Sequence, residues 1–368
     1  MEEVLKVALQ EKQAKANRQV AMWLLVGIGM VIIQILLGGI TRLTGSGLSI
    51  TEWDVVTGTL PPLNEASWMA EFEKYRLTPQ YRLLNSDFTL ADFKFIFFWE
   101  WFHRLWGRLI GLVFAAGFIY FLATSKFARS MVAPLAVLFV LGGLQGAIGW
   151  IMVASGLVGD AVYVRPTRLA LHFVFALGLL CYTLWFALKL RVEAAQRIRQ
   201  EKLRNLLLFM MFFLVLQLSF GALMAGHKAA TAAPTWPTIN GSMLSSAGLF
   251  DPAHGWLNFI DNKITIQFMH RTLAYMLLAL TALLTLKIYR PIGSGLLYQY
   301  RWWPLGIVAL QVVLGIASVL SSTGIVPNRW GLFEWMAQLH QLIGMLYLMC
   351  MVALLFLTTA PAKASVAK

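Results

Sequence analysis

Residues 95–123 read FIFFWEWFHRLWGRLIGLVFAAGFIYFLA, an apolar run that contains His103 and, four residues later, Gly107. An α-helix needs about 20 apolar residues to cross a bilayer, so this run is long enough to span it. Residues four apart lie on the same face of a helix. The run therefore predicts a membrane-spanning helix that carries an imidazole beside a position without a side chain.

The same arrangement occurs in three other apolar runs. In each, a histidine is followed after four residues by a small residue: His172 and Ala176, His270 and Ala274, His340 and Gly344. Small and polar residues also help membrane helices to pack, which would explain any single case. An ionisable group inside the membrane is costly unless it is liganded or paired, and four matching cases favour a ligand. Imidazole is an axial ligand of heme iron and a bare patch admits a flat porphyrin, so the pattern predicts heme binding.

Hydrophobic residues make up 59% of the 368 residues and charged residues only 13%, which excludes a soluble globular domain. Eight apolar runs have about the length of a membrane-spanning helix. They are residues 20–41, 95–123, 131–154, 166–190, 203–226, 263–287, 301–321 and 333–359. We therefore expect an all-α polytopic membrane protein with eight transmembrane helices and with both termini on the same side.

The distribution of Lys and Arg predicts the orientation. More than half of them lie in the tails and loops on the side of the termini, including a basic segment at 189–204. Positively charged loops face the cytoplasm, so we expect both termini there. The net charge of +13 then reflects topology and contact with membrane lipid, and no nucleic acid partner is indicated. The N-terminus resembles neither a signal peptide nor a transit peptide, so a multi-pass protein of the bacterial inner (plasma) membrane is the simplest expectation.

The chain contains an internal repeat. His103 and His270 are 167 residues apart, and His172 and His340 are 168 apart. A near-constant offset over four spans predicts two tandem, pseudo-symmetric four-helix bundles in parallel orientation. The expected divisions are a cytoplasmic tail 1–19, an N-terminal bundle 20–190 with a long outer loop 42–94, a cytoplasmic basic linker 191–202, a C-terminal bundle 203–359 and a cytoplasmic tail 360–368.

The odd-numbered spans carry a second pattern, in which glutamine is followed four residues later by glycine. The pairs are Gln34 and Gly38, Gln145 and Gly149, Gln217 and Gly221, and Gln311 and Gly315. Glutamine can hydrogen-bond between helices and glycine allows close approach. Helix packing therefore explains these residues at least as well as contact with heme, and both interpretations stay open at this point.

The four membrane histidines are predicted to form one layer. Each lies about seven or eight residues from the outer end of its span, which places it roughly 10–12 Å below the outer interface. Two imidazoles on neighbouring helices of one half could hold one iron from both faces. Electron transfer across the membrane would need heme sites at two depths, and therefore two histidines on one helix. No span carries a second histidine. We therefore expect two heme sites side by side, toward the outer face.

Two cysteines and two loop histidines are assigned no catalytic or ligand-binding role. Cys181 and Cys350 lie within apolar spans, away from loops where a disulfide or a zinc site forms, and are interpreted as packing residues. His227 and His254 lie in the outer loop 227–262 and are interpreted as ordinary surface histidines.

The two halves differ beside the first histidine of each. Glu100 precedes His103 by three residues, whereas the matching residue before His270 is Gln267. A carboxylate at membrane depth is costly and can act as an acid, a base or a charge stabiliser. One heme site is therefore expected to be reactive and the other to hold a redox cofactor. Two neighbouring arginines, Arg104 and Arg271, could contact heme propionates or could extend to the interface.

Several runs together resemble the heme A synthase family. They are GGITRLTGSGLSITEW at residues 38–53, FWEWFHRLWGR at 98–108 and QFMHR at 267–271. The similarity is closest to the form shared by mitochondria and some bacteria, which has a long first outer loop. It covers essentially all eight spans.

The resemblance implies oxidation of the C8 methyl of heme O to the formyl group of heme A, through successive hydroxylations and loss of water. It implies that His103 and His172 lie at the iron of the substrate heme, that Glu100 is catalytic, and that His270 and His340 ligate a permanent heme b. A heme O synthase is then the expected donor, and electrons leave through the heme b to an acceptor that the sequence does not identify.

Some bacterial members of this family carry cysteine pairs in the outer loops, and this sequence has none, so a thiol-based step cannot operate here. Loop 42–94 is a candidate cover for the substrate site. Two other classes stay open, a quinol-linked electron-transfer cytochrome and a heme transporter or chaperone, although Glu100 argues against both. The sequence leaves homo-oligomerisation open.

Overall fold

The computed structural model describes residues 1–53, 57–243, 248–289, 294–327 and 329–359, and within these ranges the protein is helical and has no named strand. Eight of the described helices are long and apolar enough to cross a membrane. They are α1 (Glu2–Leu43), α2 (Leu90–Ala123), α3 (Arg129–Ala154), α4 (Pro166–Arg191), α5 (Glu201–Gly226), α6 (Lys263–Tyr289), α7 (Trp303–Ser321) and α8 (Leu332–Leu357). The predicted all-α, eight-span membrane fold is confirmed. The predicted tail 360–368 lies outside the described residues.

Two helices begin earlier than their apolar runs. Helix α1 starts at Glu2, so residues predicted as a tail are helical and exposed, with an ion pair between Glu2 and Lys6 four residues apart. Helix-forming residues at this end favour helix even where no apolar face is present. Helix α2 starts at Leu90 because Thr89 and Asp92 form a reciprocal capping box there. Hydropathy alone cannot detect either extension.

The helices pack in two series of four neighbours. Helix α1 packs against α2, α2 against α3, α3 against α4, and α4 against α1. Helices α5 to α8 repeat this closed order. Between the two series, α4 contacts both α5 and α8, and α1 contacts α8. Because helices of the two series also contact one another, the division into two four-helix bundles stays a prediction.

The tightly packed core lies at the end of the molecule where the apolar part of α1 begins and where α8 ends. It includes Leu24 of α1, Leu180 of α4, Leu207 of α5 and Met351 of α8, none more than 1% exposed. Toward the opposite ends, the helices surround a cavity. The fold therefore combines a densely packed apolar region with an open cavity. The two cysteines predicted to be packing residues are free thiols on α4 and α8.

The described part of loop 42–94, between α1 and α2, folds over the cavity on the side of these two helices. It contains two short helices, Glu65–Arg76 and Pro79–Leu84, which carry a cluster of buried aromatic residues against α2. Burial raises the pKa of Tyr75 to about 12, so its neutral hydroxyl donates to Gln80 Oε1 (3.1 Å). Gln80 in turn donates to the carbonyls of Gly45 (3.4 Å) and Val162 (3.3 Å). The loop is thereby tied to the rim of the cavity, as expected of a cover.

Candidate heme-binding site

All four membrane histidines line one continuous cavity of about 1830 Å³. His103 lies on α2, His172 on α4, His270 on α6 and His340 on α8. A single small-molecule site usually has a volume of roughly 300–1,000 Å³, so this cavity is large enough for two such ligands. The four histidines that the sequence predicted to bind heme therefore line a common cavity.

Each histidine meets a glutamine from a neighbouring odd-numbered helix. The shortest contacts between the side-chain nitrogens are Gln34 Nε2 to His103 Nε2 (3.0 Å), Gln145 Nε2 to His172 Nδ1 (3.2 Å), Gln217 Nε2 to His270 Nε2 (3.4 Å) and Gln311 Nε2 to His340 Nε2 (3.2 Å). The glutamines thus contact the histidines directly. In all four, the amide Oε1 is buried and has no hydrogen-bond partner within the described part of the chain.

The glycines of the glutamine pattern make room for the imidazoles. A Cβ added at Gly149 would lie 2.8 Å from His172 Cε1, and one at Gly315 would lie 2.8 Å from His340 Cε1. Gly38 and Gly221 stand in the same relation to His103 (3.2 Å) and His270 (3.1 Å). These distances are shorter than ordinary van der Waals contact, so any side chain at these positions would displace the ring.

The small residues that follow the histidines have a different neighbour from the one expected. A Cβ added at Gly344 would lie 2.9 Å from Gln311 Nε2, and one at Gly107 would lie 3.4 Å from Gln34 Nε2. Glutamine side chains, and not open space, lie against these two positions. The small residue after histidine and the glycine after glutamine therefore serve one reciprocal contact between two helices.

The second-half histidines have a hydrogen bond that fixes their tautomer. Nδ1–H of His270 donates to the carbonyl of Gln217 (3.2 Å), and Nδ1–H of His340 donates to the carbonyl of Gln311 (3.0 Å). A carbonyl only accepts, so Nδ1 carries the proton and Nε2 keeps the lone pair needed to bind a metal. In the first half, the amides of Gln34 and Gln145 approach the rings, and the structure contains no such carbonyl bond from the described histidines.

The second-half imidazoles are also correctly spaced to share an iron. The ring centroids of His270 and His340 are 6.1 Å apart and the rings are inclined at 71°. A metal–nitrogen bond of about 2 Å on each side, plus roughly 1 Å from nitrogen to ring centre, requires a separation of this size. Spacing, tautomer and cavity volume together fit a heme iron with two axial imidazoles at this site.

Glu100 is buried, 3% exposed, and is surrounded by donors. Its Oε2 accepts from Ser49 Oγ (2.8 Å) and from the backbone N–H of Ile50 (2.9 Å), and its Oε1 pairs with Arg104 Nη2 (2.5 Å). Arg104 also donates to the carbonyls of Ile50 (3.1 Å) and Glu52 (3.0 Å). The carboxylate beside the first histidine therefore connects α2 to the chain that leaves α1.

The second half uses an amide at the equivalent position. Gln267 is fully buried, and its Nε2 donates to the carbonyl of Ala233 (3.0 Å). Arg271 donates to three backbone carbonyls, those of Ala233, Thr235 and Thr238. Arg104 and Arg271, which follow His103 and His270, thus both bind backbone oxygens of a loop. Their predicted contacts with propionates stay a prediction.

Several residues of the site carry no separate signal in the sequence. The structure identifies Ser49 and Ile50 as partners of Glu100. It also shows that Gln338 and Gln341 of α8 bond to the backbone of α1. The two loop histidines do not line the cavity. His227 Nε2 lies 2.7 Å from the carbonyl of Ile260, and His254 Nδ1 lies 2.7 Å from Asp251 Oδ2.

Comparison with known proteins identifies the family to which this chain belongs. Residues 21–352 match the COX15-CtaA family, described as cytochrome oxidase assembly protein. A protein of Paracoccus denitrificans named heme A synthase is 44% identical over 316 residues, 84% of this chain and 82% of the relative. Proteins of the same name from Bradyrhizobium diazoefficiens (43%; 84% and 85% covered) and Flavobacterium psychrophilum (40%; 91% and 96% covered) are also similar. The resemblance read from the motifs is thereby confirmed, and the chain belongs to the COX15-CtaA family.

Proposed function

We propose that this protein is a heme A synthase, which oxidises the C8 methyl of heme O to a formyl group and uses a bound heme b as redox cofactor. The observation that carries the proposal is the difference between two histidine pairs in one cavity. One pair has a buried carboxylate beside it, and the other has fixed tautomers and an amide. Two equivalent storage sites would not need this difference.

The second half is proposed to hold the permanent heme b through His270 and His340. Their Nδ1–H bonds to backbone carbonyls orient the rings and increase the basicity of Nε2, as outer hydrogen bonds of metal ligands do. Backbone carbonyls within helices are rigid, so this site is prepared before the cofactor arrives. When bound, heme b would supply one-electron redox chemistry.

The first half is proposed to hold the substrate heme O at His103 and His172. Their contacts with the described chain come from glutamine side chains, which rotate more easily than a helix backbone, and this suits a ligand that must enter and leave. Each hydroxylation is a two-electron oxidation of the methyl carbon. Because the electrons are proposed to leave through heme b to an external acceptor, the oxygen atom comes from water: a C–H bond and one water give C–OH, two protons and two electrons. Loss of water from the doubly hydroxylated carbon then leaves the formyl group.

Glu100 is the proposed catalytic residue of the first half. A carboxylate near the reacting carbon can accept a proton or offset developing positive charge. Ser49, Ile50 and Arg104 hold both of its oxygens, so the group is oriented before substrate binds. The loop between α1 and α2 supplies part of this support through Ser49 and Ile50.

The proposal includes a location and partners. We place the protein in the bacterial inner membrane with both termini in the cytoplasm and with the heme sites toward the outer face, because Lys and Arg are concentrated on the side of the termini. A heme O synthase is the proposed donor of heme O, since substrate and product are too apolar to travel freely through water. The electron acceptor is left unassigned, and a homo-oligomer is compatible with the proposal.

The test is to express the protein with and without a heme O synthase and to identify the hemes that can be extracted from the purified protein. A heme A synthase should yield heme b together with heme O, a hydroxylated intermediate or heme A. An electron-transfer cytochrome or a heme transporter should yield unmodified heme alone, and that outcome would refute the proposal.

A further inference from the structure

The contact between α1 and α8 contains a cation without a structural partner. Arg42 lies in the last turn of α1 and lines the cavity. Its Nε is buried and unpaired, and no ion pair or hydrogen bond joins the guanidinium to any described residue. By contrast, Arg104 and Arg271 are each bound to three or more oxygen atoms.

Arg42 is held in place by the packing of the helices. Gln338 Nε2 donates to the carbonyl of Leu36 (3.0 Å), and Gln341 Nε2 donates to the carbonyl of Ile35 (2.8 Å). A Cβ added at Gly39 would overlap Gln338 Oε1, so glycine is required for this approach. Hydrogen bonds therefore join the two helices nearly two turns below Arg42, and the close approach at Gly39 lies about one turn below it.

The internal repeat shows that the architecture does not need this charge. The contact equivalent to α1–α8 is the one between α5 and α4. There the residue matching Arg42 is Ala225, and the residue matching Glu334 is Pro166. A Cβ added at the adjacent Gly226 would lie 2.8 Å from Pro166 Cβ, so this contact is closed and apolar at the position that matches Arg42. The nearby cation, Lys228, bonds to Tyr163 Oη (2.6 Å) and therefore has a partner, unlike Arg42.

The protein offers Arg42 little compensation. Glu334, at the start of α8, is the acidic residue whose charge acts on it, but the two are not in contact, and Glu334 Oε2 accepts the backbone N–H of Gly331 (2.8 Å). Trp330 Nε1 is a second buried donor on the same cavity without a partner. Arg42 as a whole is half-buried, but its buried Nε has an unused donor, and such a donor costs free energy until an acceptor binds it.

We propose that Arg42 binds a carboxylate of the substrate porphyrin, a propionate group, and thereby orients the ring in the first half. This inference rests on the proposed function, because it takes the first-half ligand to be heme O. Arg42 is four residues from Gly38, on the same face of α1, and Gly38 lies against His103. The Cα of Arg42 therefore lies about 6 Å along the helix axis from the Cα of Gly38, the residue beneath the His103 imidazole.

The experiment titrates the purified full-length protein with heme O and with the dimethyl ester of heme O, which has no carboxylates. Wild type, Arg42→Gln, Arg42→Lys and the control Arg168→Gln are compared by absorbance. Arg168 lies in the first turn of α4, on the same side of the molecule as the last turn of α1. It donates to the carbonyl of Ile151 (2.9 Å) and does not line the cavity.

Arg42→Gln should weaken binding of heme O by about 10- to 100-fold, the usual effect of losing a charged hydrogen bond. The same variant should bind the ester as wild type does. Arg42→Lys should recover part of the affinity for heme O, and Arg168→Gln should change neither titration. The heme b absorbance should be equal in all four proteins, and equal elution in size-exclusion chromatography would show that the variants fold.

Unchanged affinity for heme O in Arg42→Gln would overturn the inference. Equal weakening of heme O and its ester, without recovery by lysine, would make Arg42 a packing residue and overturn it as well. Loss of heme b in place of heme O would assign the carboxylate to the other porphyrin and would refute the substrate assignment. Failure of wild-type protein to bind heme O would instead refute the proposed function itself.

Discussion

Replacing Glu100 by glutamine separates the chemical role of this carboxylate from its structural role. The amide keeps the shape of the side chain, and its Oε1 can still accept from Ser49 Oγ and the Ile50 N–H. Its NH₂ group, however, would face the guanidinium of Arg104, a donor against a donor. The substitution therefore removes one ion pair and leaves the other contacts in place.

The structural cost can be estimated from the partners that remain. Breaking a buried ion pair costs roughly 3–5 kcal/mol when the remaining charge is left without partners. Arg104 keeps the carbonyls of Ile50 and Glu52, and its side chain is 12% exposed. We therefore expect a loss near that of one charged hydrogen bond, about 2 kcal/mol. That cost is confined to the first half, and we expect heme b in the second half to be retained.

The chemical effect should be larger. Removing a positioned acid or base usually slows a reaction by about 10²- to 10⁴-fold. In cells that also make heme O, Glu100→Gln should therefore retain heme b and accumulate heme O or its hydroxylated product. Extraction of the hemes and their separation by chromatography measure both quantities in one sample.

Arg104→Gln is the matched control, because it breaks the same ion pair from the other side and keeps the carboxylate. It should reduce heme A less than Glu100→Gln does. Wild-type amounts of heme A from Glu100→Gln would refute the catalytic role. An equal loss in the two variants would show that Glu100 acts by holding Arg104 and the loop, and loss of all bound heme would make it a structural residue.

Three other predictions follow from the site and the topology. Replacing His340 by alanine should abolish the spectrum of a six-coordinate low-spin heme b, because a methyl group cannot replace an axial nitrogen; an unchanged spectrum would remove this residue from the ligand set. Gly315→Ala should lower heme b content, since its Cβ would lie 2.8 Å from His340 Cε1, whereas Gly306→Ala on the same helix meets nothing within 4 Å and should have no effect; equal heme content would contradict the steric argument. Reporter fusions after Lys94 should report the outer side and fusions within 189–204 the cytoplasm, and a cytoplasmic signal after Lys94 would reverse the orientation.

The amino-acid sequence by itself determined the eight spans, and it predicted that the four histidines lie at one depth. Inside a membrane the backbone must satisfy its own hydrogen bonds, so an apolar run of sufficient length has one available structure, the helix. Spacing along a helix then gives depth and face directly, which is why His103 and Glu100 could be placed from the sequence. Hydropathy did not predict that the polar start of α1 is helical, because its helicity depends on local propensity.

Only the tertiary structure decided what each side chain contacts. The sequence contains both the glutamine and the histidine patterns, but their pairing depends on how neighbouring helices are rotated, and residue spacing within one helix carries no information about rotation relative to another. For the same reason, the partners of Glu100 come from a distant loop, and Arg42 could not be distinguished from an arginine that extends to the interface. Helices form from local interactions, whereas a binding site forms from contacts between segments far apart in the chain.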